Sequence, residues 1–152
     1  MASYNGYGKK TSTLDTSHTW WNVKNNSTAV DRLRIYFIEH FSGTSVDQAY
    51  AGYVNRTTAA GTAGTSFTPI ALDPAEGSSN ATFDYAHSAE PTYTSGSKLL
   101  SVGGHQRSVF QWYAPPGAEL VIPVSNSNGA GFIPGDTCSV TTEMEFCVQW
   151  YE

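Results

Sequence analysis

Charged residues are scarce in this chain of 152 residues, where Asp, Glu, Lys and Arg together make up 14%. An average soluble protein has about 25%. Lysine occurs only at Lys9, Lys10, Lys24 and Lys98, a poor supply for the exposed surfaces of helices. The net charge of -5 also disfavours nucleic acid as a partner, because binding to phosphates needs a concentrated excess of Lys and Arg.

Long apolar runs are absent, and there are only two cysteines. No apolar run approaches the ~20 residues of a membrane-spanning helix, so no membrane partner is predicted. Residues 1–10 are polar and carry no signal-peptide core, and we expect synthesis in a cytoplasm. Cys138 and Cys147 are nine residues apart. On one strand this odd separation would place them on opposite faces, so we expect two free thiols, with Cys138 buried.

Motifs for catalysis or metal binding are absent. The histidines share no metal-ligand spacing; they are His18, His40, His87 and His105. No GxSxG, GxxxxGK[ST] or GxGxxG sequence occurs. Glu143 and Glu145 share one strand face, where they discourage edge pairing or meet a basic partner. The sequence therefore predicts a non-enzyme without cofactor or metal; a catalytic site assembled only by the fold is the remaining alternative.

Alternating apolar and polar residues predict β-strands. Residues 137–151 alternate strictly and indicate one half-buried strand, long enough either to bend or to reach past its own domain. Residues 32–41 alternate as well. There the apolar side is predicted to be Leu33, Ile35 and Phe37, and the opposite side Arg32, Arg34 and Tyr36.

Further strand candidates are separated by Gly- and Pro-containing turns. They are residues 19–23, 68–72, 81–85, 98–102, 108–113 and 119–124. Residues 45–54 are interpreted as a strand, with a short helix as the alternative because Ser45 and Gln48 could form a capping box. Residues 57–65 contain almost no large side chain and are predicted to be a mobile surface loop. Strands at this spacing predict an all-β, antiparallel β-sandwich or jelly-roll-like single domain.

Aromatic residues are abundant, with nine Tyr and four Trp, and three pairs are adjacent in sequence. The pairs are Trp20-Trp21, Trp112-Tyr113 and Trp150-Tyr151. Neighbours on a strand point to opposite faces, so each pair is expected to place one ring inward and one outward. Outward Tyr and Trp anchor protein interfaces and also stack on sugars. These rings therefore favour either assembly or carbohydrate binding.

Six short stretches follow one another along the chain: Thr68-Pro69-Ile70, Ala89-Glu90-Pro91-Thr92-Tyr93, Phe110-Gln111-Trp112-Tyr113, Leu120-Val121-Ile122-Pro123, a Gly-rich loop at residues 128–131 and the closing residues 138–150. Their succession resembles that in small virion proteins of tailed bacteriophages, namely capsid decoration (cement) and minor head proteins. The resemblance covers residues 33–150 and implies an all-β fold without catalytic residues. Residues 1–28 lie outside it. We expect them to form an N-terminal arm and first strand, with residues 2–10 docking on a capsid or a neighbouring subunit and residues 29–152 forming the sandwich.

The resulting hypothesis is a capsid decoration protein. It would bind the major capsid protein on the outer surface of the virion and self-associate, plausibly as a trimer. The predicted partner-binding residues are Trp20, Trp21, Tyr36, Trp112, Tyr113 and Tyr151. The alternative is a lectin-like sandwich that binds glycans through the same exposed rings.

Overall fold

The chain was studied as a computed structural model that describes residues 1–10, 18–26, 31–41, 47–105, 107–135 and 143–152. The described residues form twelve β-strands and no helix. The strands are β1 (Ser3–Lys10), β2 (Trp21–Asn25), β3 (Leu33–Phe41), β4 (Ala49–Ala59), β5 (Thr65–Phe67), β6 (Ile70–Ala71), β7 (Ala81–Tyr85), β8 (Thr92–His105), β9 (Phe110–Tyr113), β10 (Leu120–Ile122), β11 (Gly129–Pro134) and β12 (Met144–Tyr151).

The strands form two six-stranded antiparallel sheets that pack face to face. Sheet A has the order β10-β3-β12-β1-β6, and β9 also pairs with β3. Sheet B has the order β5-β7-β2-β11-β4-β8. Between the sheets lies one core that contains fully buried side chains from both, including Trp21, Phe83 and Phe132 from sheet B and Ile35, Phe146 and Trp150 from sheet A.

The order of pairing defines a jelly roll. Strand β1 pairs with β12, β2 with β11, β3 with β9 and β10, and β4 with β8. These pairings are nested, so that each one encloses the next in sequence, and they alternate between the two sheets, as in double-sheet jelly rolls. Strands β5, β6 and β7 lie between β4 and β8 in sequence and extend both sheets. The predicted all-β, antiparallel, jelly-roll-like sandwich is confirmed.

The alternation that predicted the last strand is confirmed for Met144–Tyr151. Met144, Phe146, Val148 and Trp150 are all fully buried, and the residues between them are half-buried. Residues 137–142 of the predicted strand, including Cys138, lie outside the described residues, and Glu143 is described but precedes β12. Cys147, predicted to be a free thiol, is free and half-buried.

A β-bulge in β3 changes the face on which Phe37 lies. Gln149 lies opposite Phe37, but the next residue, Trp150, lies opposite Ile35, so Tyr36 is an extra residue in the ladder. Beyond the bulge, Ile38 takes the inward position and belongs to the core cluster, whereas Phe37 lies on the other face, where it is buried at 7% exposure. The prediction that Phe37 shares a face with Leu33 and Ile35 was therefore wrong.

The N-terminal segment is a strand of the sandwich and not a free arm. Ser3–Lys10 pairs over its whole length with β12 and, on its other edge, with β6. Gly6 and Gly8 bring β1 close to the opposite sheet, because a Cβ at Gly6 would lie 2.5 Å from Phe83. Strand β2 lies inside sheet B, so the boundary predicted after residue 28 does not separate two structural parts.

Three local predictions had different outcomes. Within residues 45–54, Ala49 onwards belongs to β4, so the strand was predicted correctly there and the helix alternative fails. The loop predicted at 57–65 is shorter, because β4 continues to Ala59 and β5 begins at Thr65. The Gly-rich residues 128–131 are predicted to be a loop, but Gly129–Pro134 is a strand with neighbours on both sides.

Candidate functional site

A row of residues crosses the outer face of sheet A, on the side away from the core. The strand registers place Tyr113 beside Phe37, Phe37 beside Gln149, Gln149 beside Asn5, and Asn5 beside Ile70. Side chains of directly opposite residues lie on the same face of an antiparallel sheet. The row therefore runs across five strands, and its two ends, Tyr113 and Ile70, are 64% and 58% exposed.

Two pairs of aromatic rings stand on this surface. The rings of Tyr36 and Tyr151 stack with their centroids 4.2 Å apart, and those of Phe37 and Tyr113 lie 4.7 Å apart. Such pairs add about 0.5–1.5 kcal/mol beyond the area that they bury. We call this surface the aromatic face and define it by Tyr36, Phe37, Tyr113 and Tyr151 with the polar residues Ser3, Asn5 and Gln149.

Hydrogen bonds hold the centre of the aromatic face in place. The hydroxyl of Tyr36 donates to Gln149 Oε1 at 3.0 Å and lies 2.7 Å from Ser3 Oγ. The thiol of Cys147 donates to Asn5 Oδ1 at 2.9 Å. Burial, followed by the nearby Glu39 carboxylate, raises the pKa of Cys147 to about 11. The face is thus a surface fixed by its own contacts, with a thiol that stays protonated at neutral pH.

Charged and polar pairs surround the rings. The Lys9 ammonium lies 3.2 Å from a Glu143 carboxylate oxygen, and Gln111 Nε2 donates to Glu39 Oε1 at 2.7 Å. The Tyr7 hydroxyl donates to Glu145, and burial together with this bond raises the pKa of Tyr7 to about 12. Glu143 and Glu145, predicted to share a face, both engage neighbours in this way. The border of the aromatic face therefore carries both signs of charge.

The structure divides the six predicted contact residues into two groups. Tyr36, Tyr113 and Tyr151 are brought together on the aromatic face. Trp112 instead points inward and packs against the core beside Ile38.

Trp20 and Trp21 are both fully buried, so the prediction that one of these two rings points outward was wrong. Trp20 precedes β2, where the alternation of a strand does not apply. The sequence also placed Phe37 on the wrong face, because the alternation of apolar and polar residues gives no sign of the bulge that turns Phe37 away from the core.

The outer face of sheet B is polar and covered at its centre. Thr19 N–H donates to Glu90 Oε1 at 2.9 Å, and the Thr19 hydroxyl contacts both Glu90 and Tyr93. A Cβ at Gly131, in the middle of the sheet, would lie 3.2 Å from the Tyr93 hydroxyl. Asn22, which pairs with Gly131, is fully buried. Of the two outer faces, sheet A therefore presents the more open surface.

His40 and His105 do not form a catalytic arrangement. His105 Nε2 lies 2.6 Å from Asp47, and Ser108 is close, which suggests a Ser-His-Asp triad. However, His105 Nδ1 accepts from the Arg107 main chain, and the Ser108 hydroxyl donates to the His105 carbonyl instead of the ring. His40 is fully buried, and its Nε2 accepts from Trp21 Nε1 at 2.9 Å. Neither ring is placed to activate a hydroxyl.

Metal sites are likewise not found among the described residues. No group of three or more His, Cys, Asp or Glu side chains could hold a metal ion there. One cavity of ≈ 110 Å³ is lined by Arg56, Thr57, Thr58, Thr94, Pro123, Asn128 and Gly129. Pockets that enclose drug-sized ligands measure about 300–1,000 Å³. This cavity is therefore too small for such a ligand.

No protein-family model, curated protein or solved structure matches the chain. Within the part of the chain that the structure describes, no helix is long and apolar enough to cross a membrane. What the aromatic face binds is therefore inferred from its own chemistry.

Proposed function

We propose that this chain is a non-catalytic structural protein of a virus particle. It decorates the outer surface of the capsid, binds the major capsid protein and self-associates, with a trimer as the preferred assembly. The observation that carries the proposal is the aromatic face on a jelly-roll sheet. Jelly rolls occur in viral capsid and lectin domains, so the fold is compatible with the proposal, although fold alone does not assign function.

The size of the aromatic face suits a protein partner. The five strands of the row, β9, β3, β12, β1 and β6, differ in length from nine residues in β3 to two in β6. At about 3.3 Å per residue and a strand spacing of about 4.8 Å they give a surface of roughly 500 Å², the size of a small interface. A stable protein interface buries about 800 Å² on each side. Interfaces typically combine a central group of aromatic residues with a polar border. The stacked Tyr36–Tyr151 pair, with Lys9–Glu143 and Glu39–Gln111 around it, follows this arrangement.

Capsid stabilisation would follow from preferential binding. Apolar area removed from water contributes about 25 cal/mol per Å². A protein that binds only assembled capsomers shifts the equilibrium toward the assembled state by mass action. Tyr36, Tyr113 and Tyr151 remain the proposed contacts, and Phe37, which is only 7% exposed, supports them by packing against the Tyr113 ring. Trp20, Trp21 and Trp112 are dropped because they belong to or pack against the core, and residues 2–10 contribute only through the exposed side of β1.

Carbohydrate binding is the second candidate, and Tyr113 favours it. Tyr113 is 64% exposed, and the hydrogen-bonded Gln111 and Glu39 lie on the same face of the sheet, two residues along their strands. An exposed ring beside amide and carboxylate groups is the chemistry that recognises a sugar ring and its hydroxyls. In this function the chain would serve adsorption to a glycosylated surface.

The native mass in solution, measured by light scattering after gel filtration, tests the proposal. We expect about three times the chain mass of 16.4 kDa, and a fall to the monomer mass for Tyr113→Ala. Tyr53→Ala is the matched control, because Tyr53 lies on the outer face of sheet B beneath Lys98. A monomeric wild-type protein that binds a glycan array and loses this binding in Tyr113→Ala would refute the assembly proposal in favour of carbohydrate binding.

A further inference from the structure

The sheet edges of the molecule differ sharply in length. Strands β5, β6, β9 and β10 lie at edges and contain only two to four residues each. Very short edge strands are a common protection against unwanted strand pairing. Strand β8 is the exception, because Thr92–His105 is 14 residues long and pairs only with β4 among the described residues.

The first half of β8 carries protections that the second half lacks. Between Thr92 and Lys98 the ladder with β4 shifts register, Gly96 has a φ of +73°, and Lys98 supplies a charge. Such bulges and charges discourage strand addition. From Leu100 to His105 the register with β4 is unbroken, and residues 99–104 contain neither charge nor proline.

Hydrogen bonds at the end of β8 show which main-chain groups face the open edge. The His105 N–H donates to Ser108 Oγ, and the His105 carbonyl accepts from the Ser108 N–H at 2.8 Å, so both point away from β4. In an antiparallel ladder, a residue directs its N–H and C=O to one side, and the direction alternates along the strand. Gly103 and Ser101 therefore also direct their N–H and C=O groups away from β4, and both residues are exposed.

We propose that this segment of β8 pairs with the same segment of a second copy of the chain. The two strands would run antiparallel about a two-fold axis at Val102, which places Ser101 opposite Gly103 of the second copy and Gly103 opposite Ser101. Each of these two pairs exchanges two N–H···O=C bonds, so four main-chain bonds form. The arrangement is self-complementary, as a two-fold contact requires.

Side chains permit this close approach. No charged residue lies between Leu99 and Gly104, so two copies meet without repulsion between like charges. A Cβ placed at Gly103 would have a single neighbour, the Tyr50 carbonyl at 3.7 Å. The face of the sheet at Gly103 is therefore uncrowded, and Gly103 has no side chain that could hinder a strand added at the edge. Joining the two copies would extend sheet B continuously from one chain to the next.

The contact is independent of the aromatic face and weaker than it. A pair of single strands buries less than the area of a standard interface. We therefore expect association only at high local concentration, such as neighbouring copies on one particle experience. If the aromatic face forms trimers, the two-fold contact between β8 strands links one trimer to the next.

Sedimentation velocity over roughly 10 µM to 1 mM tests the contact. Using Tyr113→Ala as the background, so that the aromatic face does not contribute, we expect reversible monomer–dimer association. Adding Gly103→Pro should weaken it at least about tenfold, because the ring removes one outward N–H in each copy and blocks the approach. Ser101→Lys, which places like charges near each other across the axis, gives a second test if Gly103→Pro does not fold. Ser97→Lys, in the protected half, is the matched control and should not change the association.

Amide hydrogen exchange supplies a readout that does not depend on variants. The N–H groups of Ser101 and Gly103 should become protected as concentration rises, whereas that of Gly104, which faces Tyr50 of β4, is protected throughout. Rapid exchange at Ser101 and Gly103 at every concentration would overturn the proposal. So would an undiminished dimer in both Gly103→Pro and Ser101→Lys. Because Gly103 and Ser101 lie in sheet B and are tested with the aromatic face disabled by Tyr113→Ala, the result for this contact does not depend on whether the proposed trimer forms.

Discussion

His40 makes the stability of the fold depend on pH. Its ring is fully buried among aromatic side chains, with the Phe132 centroid at 4.8 Å and the Trp20 centroid at 5.8 Å. Trp21 Nε1–H donates to His40 Nε2 at 2.9 Å, so the ring is neutral and Nε2 acts as an acceptor. Burial lowers the pKa of His40 from 6.5 to about 3. The folded protein therefore excludes a proton that the unfolded chain accepts below pH 6.5.

The size of the effect follows from this shift. Because the folded pKa is the lower one, stability is lost as the pH falls through 6.5, and the loss is complete only below pH 3. At pH 5 the loss attributable to His40 is about 2 kcal/mol, with a limit of about 5 kcal/mol at lower pH. Burial also lowers the pKa of His87, so that residue contributes a loss of the same sign.

Denaturant unfolding of wild-type and His40→Gln protein at pH 7.5 and pH 5.0 measures the effect. Glutamine does not titrate and can still accept from Trp21, so its free energy of unfolding should fall by about 2 kcal/mol less than that of the wild type between these pH values. His105→Gln, which changes a histidine at the surface, serves as the control and should keep the wild-type difference. An equal fall in His40→Gln and wild type would refute the reasoning.

Three further predictions concern β1 and the thiol. Gly6→Ala should lower the free energy of unfolding by roughly 1–3 kcal/mol, because its Cβ would lie 2.5 Å from Phe83; Gly77→Ala, with no atom within 4 Å of its Cβ, should leave chemical denaturation nearly unchanged. Cys147 should react with iodoacetamide at pH 8 about 100-fold more slowly than a free thiol, because its pKa is raised to about 11. Peptide mass spectrometry measures the rate of alkylation, and a rate equal to that of a free thiol would contradict the prediction. Removal of residues 1–10 should abolish cooperative thermal unfolding, since β12 loses a neighbour along its whole length; a truncated protein with the original Tm would show that β1 is dispensable.

Periodicity was sufficient to predict strands whose inward positions carry large apolar side chains. Residues 144–151 and 81–85 are of this kind, and the fold class followed from them. Strand β1 has the same alternation of buried positions, but these are Tyr4, Gly6, Gly8 and Lys10. Glycine conceals the pattern here, because the space beside it is filled by rings from the facing sheet. The sequence shows the glycines, but it does not show that aromatic rings leave room for no larger residue at these positions.

The aromatic face was predicted only in part for a similar reason. Tyr113 and Tyr151 follow an inward Trp in a regular strand, so alternation placed both correctly. The orientation of Phe37 depends on the bulge at Tyr36, and only the pairing of β3 with β12 reveals that bulge. The orientation of Trp20 depends on the residue at which β2 begins. Moving a strand boundary by one residue exchanges the inward-facing and outward-facing positions. Such errors arise wherever a position is set by a neighbouring strand and not by local sequence.

The nested strand pairs also determine how the chain can fold. The innermost pair, β4 with β8, is separated by the fewest residues, and the outermost, β1 with β12, joins the two ends of the described chain through the Ala2–Glu152 hydrogen bonds. Folds dominated by such distant pairings form slowly, in the millisecond-to-second range for small domains. During synthesis sheet A cannot close until β12 has left the ribosome, because β12 lies between β3 and β1. Until then the unpaired edges of β1 and β3 are exposed, and this interval is when the protein is most vulnerable to aggregation.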